Sequence, residues 1–276
     1  MKTLLRLLDE AEIRAFLTHQ KIELSVLGSV SSTNDFPKNE GPTGVLQFRL
    51  AEHQTQGRGR FHRPWLAPFG ANILMSCRCP IPQDLSRCEG LSLCIGLAIV
   101  QALREFGLED LSCKWPNDIL HRGQKLAGIL IELQNGPHGA TNAIIGVGCN
   151  VNMSEAMLKA IDRPTTSLQV ILGSPQNRNH IAALFIDAIS AYLARFEQKG
   201  FADFEAEWKR SDALAGKDIH LHLGASTVTG RMSGVDAAGH LLLSLPSGEV
   251  KSYSAGEASL SSLFSSTTPR RAASTA

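Results

Sequence analysis

The sequence predicts an α+β fold, a largely antiparallel sheet carrying helices, followed by a small all-β barrel. Three observations predict it. The apolar runs Ser112–Trp115, Leu126–Leu133 and Ala143–Asn152 are joined through Gly-containing turns (Arg122-Gly123, Asn135-Gly136) that suit consecutive antiparallel strands better than parallel crossovers. Ile181, Leu184, Phe185, Ala188, Tyr192 and Phe196 recur at three- and four-residue spacing, as one face of a helix does. From Gly216 the period becomes two: Ile219, Leu221 and Leu223 alternate with His220 and His222, and turn residues recur at Gly224, Gly230, Asp236 to Gly239 and Ser247-Gly248.

The remaining elements follow in order. A helix is expected over about residues 7 to 19, where Arg6, Asp9, Glu10, Glu12 and Arg14 break any signal-peptide core. A strand, Ile22 to Leu27, leads to a polar loop, Phe36 to Gly44. Strands near Val45–Ala51 and Asn72–Cys79 flank a Gly/Arg-rich stretch. Leu91 to Phe106 is apolar nearly all round and stops at Gly107, which predicts a buried helix with a glycine cap. A polar segment, Ser154 to Thr166, precedes the helical stripe; Lys199-Gly200 ends that helix, and Phe201, Phe204 and Trp208 continue into a short one. The expected units are a larger α+β one at 1–214, a β-barrel at 215–264 and a disordered tail at 265–276, rich in Ser, Thr, Ala, Pro and Arg.

Composition limits the function. With 276 residues, 43% hydrophobic, the chain can bury a core without disulfide or metal staples. Twenty-seven basic and 26 acidic side chains leave a net charge of +1, which argues against a surface built to neutralise a long polyanion but leaves room for a small basic pocket. The most apolar run, Leu91 to Val100, is well short of the roughly 20 residues that span a bilayer. Six cysteines lack paired C-x-x-C spacing, and free buried thiols in a reducing, cytoplasmic compartment are the expectation.

The segment Glu52-His-Gln54-Thr-Gln-Gly57-Arg58-Gly59-Arg60-Phe-His62-Arg63-Pro64-Trp65 is the most unusual. No acidic residue occurs between His53 and Gln83, whereas Arg58, Arg60, Arg63 and Arg78 do. Glycines let backbone N–H groups approach an anion and arginines add forked donors, so the loop suits phosphate or carboxylate and would be mobile until a ligand orders it. A solvated loop and a nucleic-acid-binding Gly/Arg segment are its alternatives. Neither Gly57-Arg-Gly59 nor Gly146-Val-Gly148 completes a dinucleotide fingerprint, and Gly123-Gln-Lys125 does not complete a phosphate loop. Lys114-Trp-Pro-Asn117-Asp118 sets a lysine, an amide and a carboxylate around a turn, where Asp118 by itself is more often a turn former. In the run from Lys125, period two places Ala127, Ile129, Ile131 and Leu133 on the core face and Gly128 and Glu132 on the other. Ser31-Ser32-Thr33-Asn34-Asp35, taken alone, reads more readily as a helix cap or turn cluster than as a binding site.

Taken jointly, Ser32-Thr33-Asn34, Gln54 before Gly57-Arg-Gly-Arg60 and Arg63-x-Trp65, Pro68-Phe-Gly-Ala-Asn72, Lys114-Trp-Pro-Asn-Asp118, Lys125-Leu-Ala-Gly128-Ile-Leu-Ile-Glu132, Gly146-Val-Gly148 and Asn150 resemble the biotin protein ligases in order and spacing, over about residues 25 to 260. The resemblance implies a mixed, class II synthetase-like core with a C-terminal Src-homology-3-like barrel. It implies an enzyme that uses ATP and Mg²⁺ to activate biotin as biotinoyl-5′-AMP, then transfers it to a lysine of a biotin carboxyl carrier protein. It places biotin near Ser32, Thr33, Asn34, Gln54, Arg58, Gly59, Arg60, Lys125 and Gly128, and the nucleotide near Gly57, Arg58, Arg60, Arg63, Trp65, Lys114, Asn117 and Asn150. Arg60, Lys125, Asp118 and Lys114 would carry the chemistry, with Asp118 orienting the amine. Many family members carry glycine where His62 stands, so His62 and Pro64 are expected to alter release of the intermediate. The region before Ile22 is too short for a DNA-reading domain, so a ligase that binds no DNA or membrane and represses nothing is expected, with a homodimer left open. A lipoate-type ligase of the same fold and a non-catalytic nucleic-acid adaptor are the rivals.

Overall fold

The structure is a computed structural model that describes residues 6–18, 21–37, 44–81, 88–135 and 141–261. Its first sheet has seven strands: β1 (Ile22–Val30), β2 (Leu46–Gln54), β3 (Ile73–Ile81), β4 (Leu111–Lys114), β5 (Asp118–His121), β6 (Gln124–Asn135) and β7 (Thr141–Cys149). Their order is β1-β2-β3-β7-β6-β5-β4. Only β1 and β2 run parallel; every other neighbouring pair is antiparallel. The sheet is therefore mixed and largely antiparallel, as expected.

Helix α1 (Glu10–Phe16) is shorter than the predicted span because Asp9 caps it, accepting from the Glu12 N–H at 2.8 Å. Helix α2 (Leu91–Glu105) buries 11 of its 15 residues, which explains its all-round apolar sequence. It lies between the sheet and a later helix, α5 (Arg178–Lys199). Its end is the predicted glycine stop: Leu108 N–H donates to Leu103 O and Gly107, at φ +96°, donates to Arg104 O. The polar segment holds a short helix, α3 (Glu155–Leu158), and α4 (Leu168–Leu172) follows it. Five residues carry too little periodicity to announce α4. A 3₁₀ turn, Phe201–Phe204, leads into α6 (Glu205–Ser211).

Period two misplaces one residue of β6: Leu133 is 52% exposed, because the sheet's buried face ends before it. Arg78 also departs from the picture of a cationic loop, being buried within β3. The C-terminal unit is a five-stranded antiparallel sheet in the order β11-β10-β9-β8-β12, from β8 (Asp218–Leu223), β9 (Ser226–Val235), β10 (Leu241–Ser244), β11 (Val250–Tyr253) and β12 (Glu257–Leu260). The tail at 265–276 and the Asn135-Gly136 turn lie partly or wholly outside the described residues.

An ion pair absent from the sequence reading ties the segment before α1 to the core. Arg178 Nη1 lies 2.6 Å from Glu52 Oε2, both side chains almost fully buried, while Arg178 Nη2 donates to Arg6 O. Removing one member of such a pair costs about 3–5 kcal/mol because the other stays buried and uncompensated. All six cysteines are free. Burial pushes the Cys113 and Cys149 thiols up to about 12, so they act as small apolar core residues. Among the described residues, no helix is long and apolar enough to cross a membrane.

Candidate active site

A pocket lies beside β2 and β3 over the glycines of β6 and β7, Gly128, Gly146 and Gly148. Its wall includes Ser32, Thr33, Asn34, Gln54, Arg58, Gly59, Arg60, Arg63, Trp65, Lys114, Asn117, Asp118, Lys125 and Gly128. Sixteen predicted site residues were drawn from separate stretches of the chain, and fourteen converge here. Gly57 sits just behind, where a Cβ would come within 3.1 Å of Gln54 and of Trp65 O. Asn150 lies apart from this pocket; its amide donates to Thr166 O at 3.1 Å, and its edge reaches an adjacent cleft.

The polar end is a hydrogen-bonded turn. Thr33 donates its N–H and hydroxyl to Gln54 Oε1 at 2.7 and 3.0 Å, an arrangement that occupies the oxygen and leaves the Gln54 amide nitrogen as the donor. Ser76 on β3, which sequence reasoning missed, sits 2.7 Å from Thr33 Oγ1 and 2.6 Å from Asn34 Oδ1. A buried serine alternating with apolar neighbours was its only signal. Of the cap-or-turn reading of this stretch the turn holds, Asp35 N–H donating to Ser32 O at 3.1 Å; no helix begins there, and Ser32, Thr33 and Asn34 are buried.

The floor is glycine by necessity. A Cβ on Gly146 would stand 2.5 Å from Asn34 Oδ1, and one on Gly148 2.6 Å from the Trp65 ring. The Trp65 indole thus lies flat against β7, with Lys125 Nζ 5.5 Å from its centroid.

The Gly/Arg stretch is a hairpin instead of the free loop its composition suggests. Trp65 N–H donates to Gly57 O and Gly59 N–H to Arg63 O, around a 3₁₀ turn at Arg60–His62. Phe61 and His62 both take φ of +56°, a conformation that L residues with a Cβ rarely adopt. Arg58 donates to Glu132 at 3.1 and 3.0 Å and to Asp35 at 2.9 Å. The Glu132 hydrogen bonds hold the Arg58 guanidinium above its ordinary range. Arg60 donates to Gly256 O at 2.8 Å, and Arg63 makes a forked pair with Glu257 at 2.5 and 2.6 Å. The second sheet therefore grips the hairpin.

The reactive end is cationic. Lys114-Trp-Pro-Asn-Asp118 forms the turn between β4 and β5, where Asn117 Nδ2 donates to Ile129 O, and Asp118 pairs directly with Lys125. Strand β5 escaped the sequence reading because only four residues compose it. Burial pushes Lys125 below its usual range, and the adjacent Asp118 opposes that shift. Burial likewise lowers Arg60. Arg163, also missed, joins the wall from a segment that hydrogen-bonds across Lys125: Lys125 N–H donates to Pro164 O and Thr166 N–H to Lys125 O. Beyond Trp65 a second cleft opens between Leu66, Pro68, Ala160 and Ile161.

Residues 26–151 match the Biotin/lipoate A/B protein ligase family and residues 215–261 the Biotin protein ligase C terminal domain. The bifunctional ligase/repressor BirA of Escherichia coli is 35% identical over 240 residues, covering 87% of this chain and 74% of that protein. The chain belongs to the biotin protein ligase family. The biotin--[acetyl-CoA-carboxylase] ligase of Mycobacterium tuberculosis is 30% identical over 213 residues, covering 75% of this chain and 76% of that one. Among solved structures, the Aquifex aeolicus biotin protein ligase in complex with biotin and ATP superposes with a TM-score of 0.73 at 28% identity, covering 87% of this chain and 98% of that one. Membership makes this chain a ligase with the family's α+β core and C-terminal unit.

Proposed function

We propose that this ligase activates biotin with ATP as biotinoyl-5′-AMP and passes it to a lysine of a biotin carboxyl carrier domain. The observation that carries the reading is the convergence, in one pocket, of a donor-rich polar end at Thr33 and Gln54, a glycine floor, and Arg60 and Lys125 at the far end. A biotin ureido group suits the first, its fused rings the second and its carboxylate the third. The carboxylate oxygen attacks the α-phosphorus and the bond to pyrophosphate breaks. Charge grows on the phosphoryl oxygens, where fixed cations stabilise the transition state most. Lys125 turns from Asp118 to that charge, with Lys114 on the phosphate side, and Asp118 is freed to orient the incoming amine. The amine attacks the acyl carbon, AMP departs, and the amine's proton leaves toward Asp118. Adenine suits the apolar cleft between Trp65 and Ile161, where Asn150 braces the segment through Thr166.

No three His, Cys, Asp or Glu side chains converge to hold a metal among the described residues. Mg²⁺ would sit on the ATP phosphates and would supply charge neutralisation there. The test is to incubate the protein with ATP, Mg²⁺, biotin and an apo carrier domain and probe with streptavidin. Labelled carrier is expected. Transfer of lipoate alone, or salt-sensitive nucleic-acid binding with no transfer, contradicts the reading.

A further inference from the structure

We infer that Glu132 is a positioning residue that couples closure of the Gly/Arg hairpin to the polar floor of the biotin pocket, an inference that rests on the proposed function. Its carboxylate accepts from both sides at once. Asn34 Nδ2 donates from the floor at 2.6 Å, and Arg58 donates from the hairpin at 3.1 and 3.0 Å. The chain of bonds continues inward. Asn34 Oδ1 accepts from Ser76 at 2.6 Å, Ser76 meets Thr33 at 2.7 Å, and Thr33 ends on Gln54.

With Ser76 donating to Asn34 Oδ1, the Thr33 hydroxyl proton serves either Ser76 or Gln54 Oε1, and the Thr33 N–H holds Gln54 in both cases. Asn34 is clamped at both ends, with Gly146 giving room for its oxygen, so it serves to orient Thr33 and Gln54. Glu132 is the member that hydrogen-bonds an arginine of the hairpin. It also stands on β6, the strand carrying Lys125 and Gly128, so one rigid element registers the floor, the hairpin and the cation. An isosteric amide breaks this arrangement. Glu132→Gln sets an N–H₂ group against a donor: with its oxygen in the Oε2 place it loses the Arg58 Nε bond, and turned over it loses both Asn34 and Arg58 Nη2, so the two-sided grip is broken either way.

The expected result is a selective one. Glu132→Gln raises the KM for biotin about tenfold with kcat changed less than threefold, and the biotin-dependent change in Trp65 fluorescence moves to a correspondingly higher biotin concentration. Trp115 and Trp208, each 2% exposed, are shielded from the pocket signal. A KM rise below threefold, or a fall in kcat as large as the KM change, overturns the inference. Should that variant fail to fold, Glu132→Asp, which keeps the charge but falls one methylene short of Arg58, must show the same selective loss. Leu133→Ser, at the exposed neighbouring position, serves as the control and leaves both constants unchanged. Absence of transfer by the unaltered protein counts against the proposed function; normal transfer with a silent Glu132→Gln counts against Glu132 alone.

Discussion

The two halves of the Gly/Arg hairpin are gripped by different parts of the molecule. Arg58 ends on Glu132 and Asp35, beside the floor of the pocket. Arg60 and Arg63 end on Gly256 and Glu257, at the start of β12. The inner grip shares its carboxylate with Asn34, so it is linked to what the pocket binds. The outer grip touches no floor residue and depends on how the C-terminal sheet seats against the core. One short segment can therefore sense its ligand through one end and its surroundings through the other.

Of the changes that test the two grips, the largest effect is expected at the floor beneath the inner one. Gly146→Ala drives a methyl to 2.5 Å from Asn34 Oδ1, and overpacking of this kind costs about 1–3 kcal/mol. Biotin affinity, read by titration, should fall roughly 10- to 100-fold, since 1.4 kcal/mol is about a factor of ten. An unchanged affinity would separate the floor from the hairpin and undo the contrast. The outer grip should matter less. Both members of the Arg63–Glu257 pair are well exposed, and such pairs are worth about 1 kcal/mol or less. Glu257→Gln should speed dissociation of the preformed adenylate by up to about fivefold, following the same conversion, and leave the KM for biotin within twofold. A larger effect on KM would show that the two grips are not distinct.

Acid should loosen the outer grip in the same way. The Arg63 hydrogen bonds hold the Glu257 carboxyl below the ordinary glutamate value of about 4.5. The pair's contribution is thus complete above that value and is lost as pH falls through the lower value of the folded state. Adenylate retention should be flat from neutral pH down to 4.5 and decline beneath it, a decline that Glu257→Gln removes. The smallest effect belongs to His62→Gly. The residue's φ of +56° costs a non-glycine about 1–2 kcal/mol, but glycine returns about 0.5–1 kcal/mol through the unfolded chain. Melting should move only slightly, and release of the intermediate by a few-fold at most.

Much of this site was legible because its chemistry is carried by short contiguous runs. Lys114 to Asp118 and Gly57 to Arg60 announce themselves by residue type, and the glycines of β7 by their spacing. What escaped is what only pairing of distant strands creates. Ser76 and Glu132 look ordinary in their own strands and acquire meaning when β3 and β6 meet the turn at Asn34. The Glu52–Arg178 pair joins residues far apart in the chain, and the grip of Glu257 on Arg63 joins two sheets. Period two reported the faces of β6 correctly until Leu133, where the partner layer ends and the pattern has nothing left to bury.

The most direct test of the account is pyrophosphate release from ATP, measured with biotin and without any carrier. Release that requires biotin, and that Lys125→Ala lowers by about 10²–10³-fold as removal of a preorganised transition-state donor does, is the expected result. Release independent of biotin, or preserved in Lys125→Ala, would contradict it.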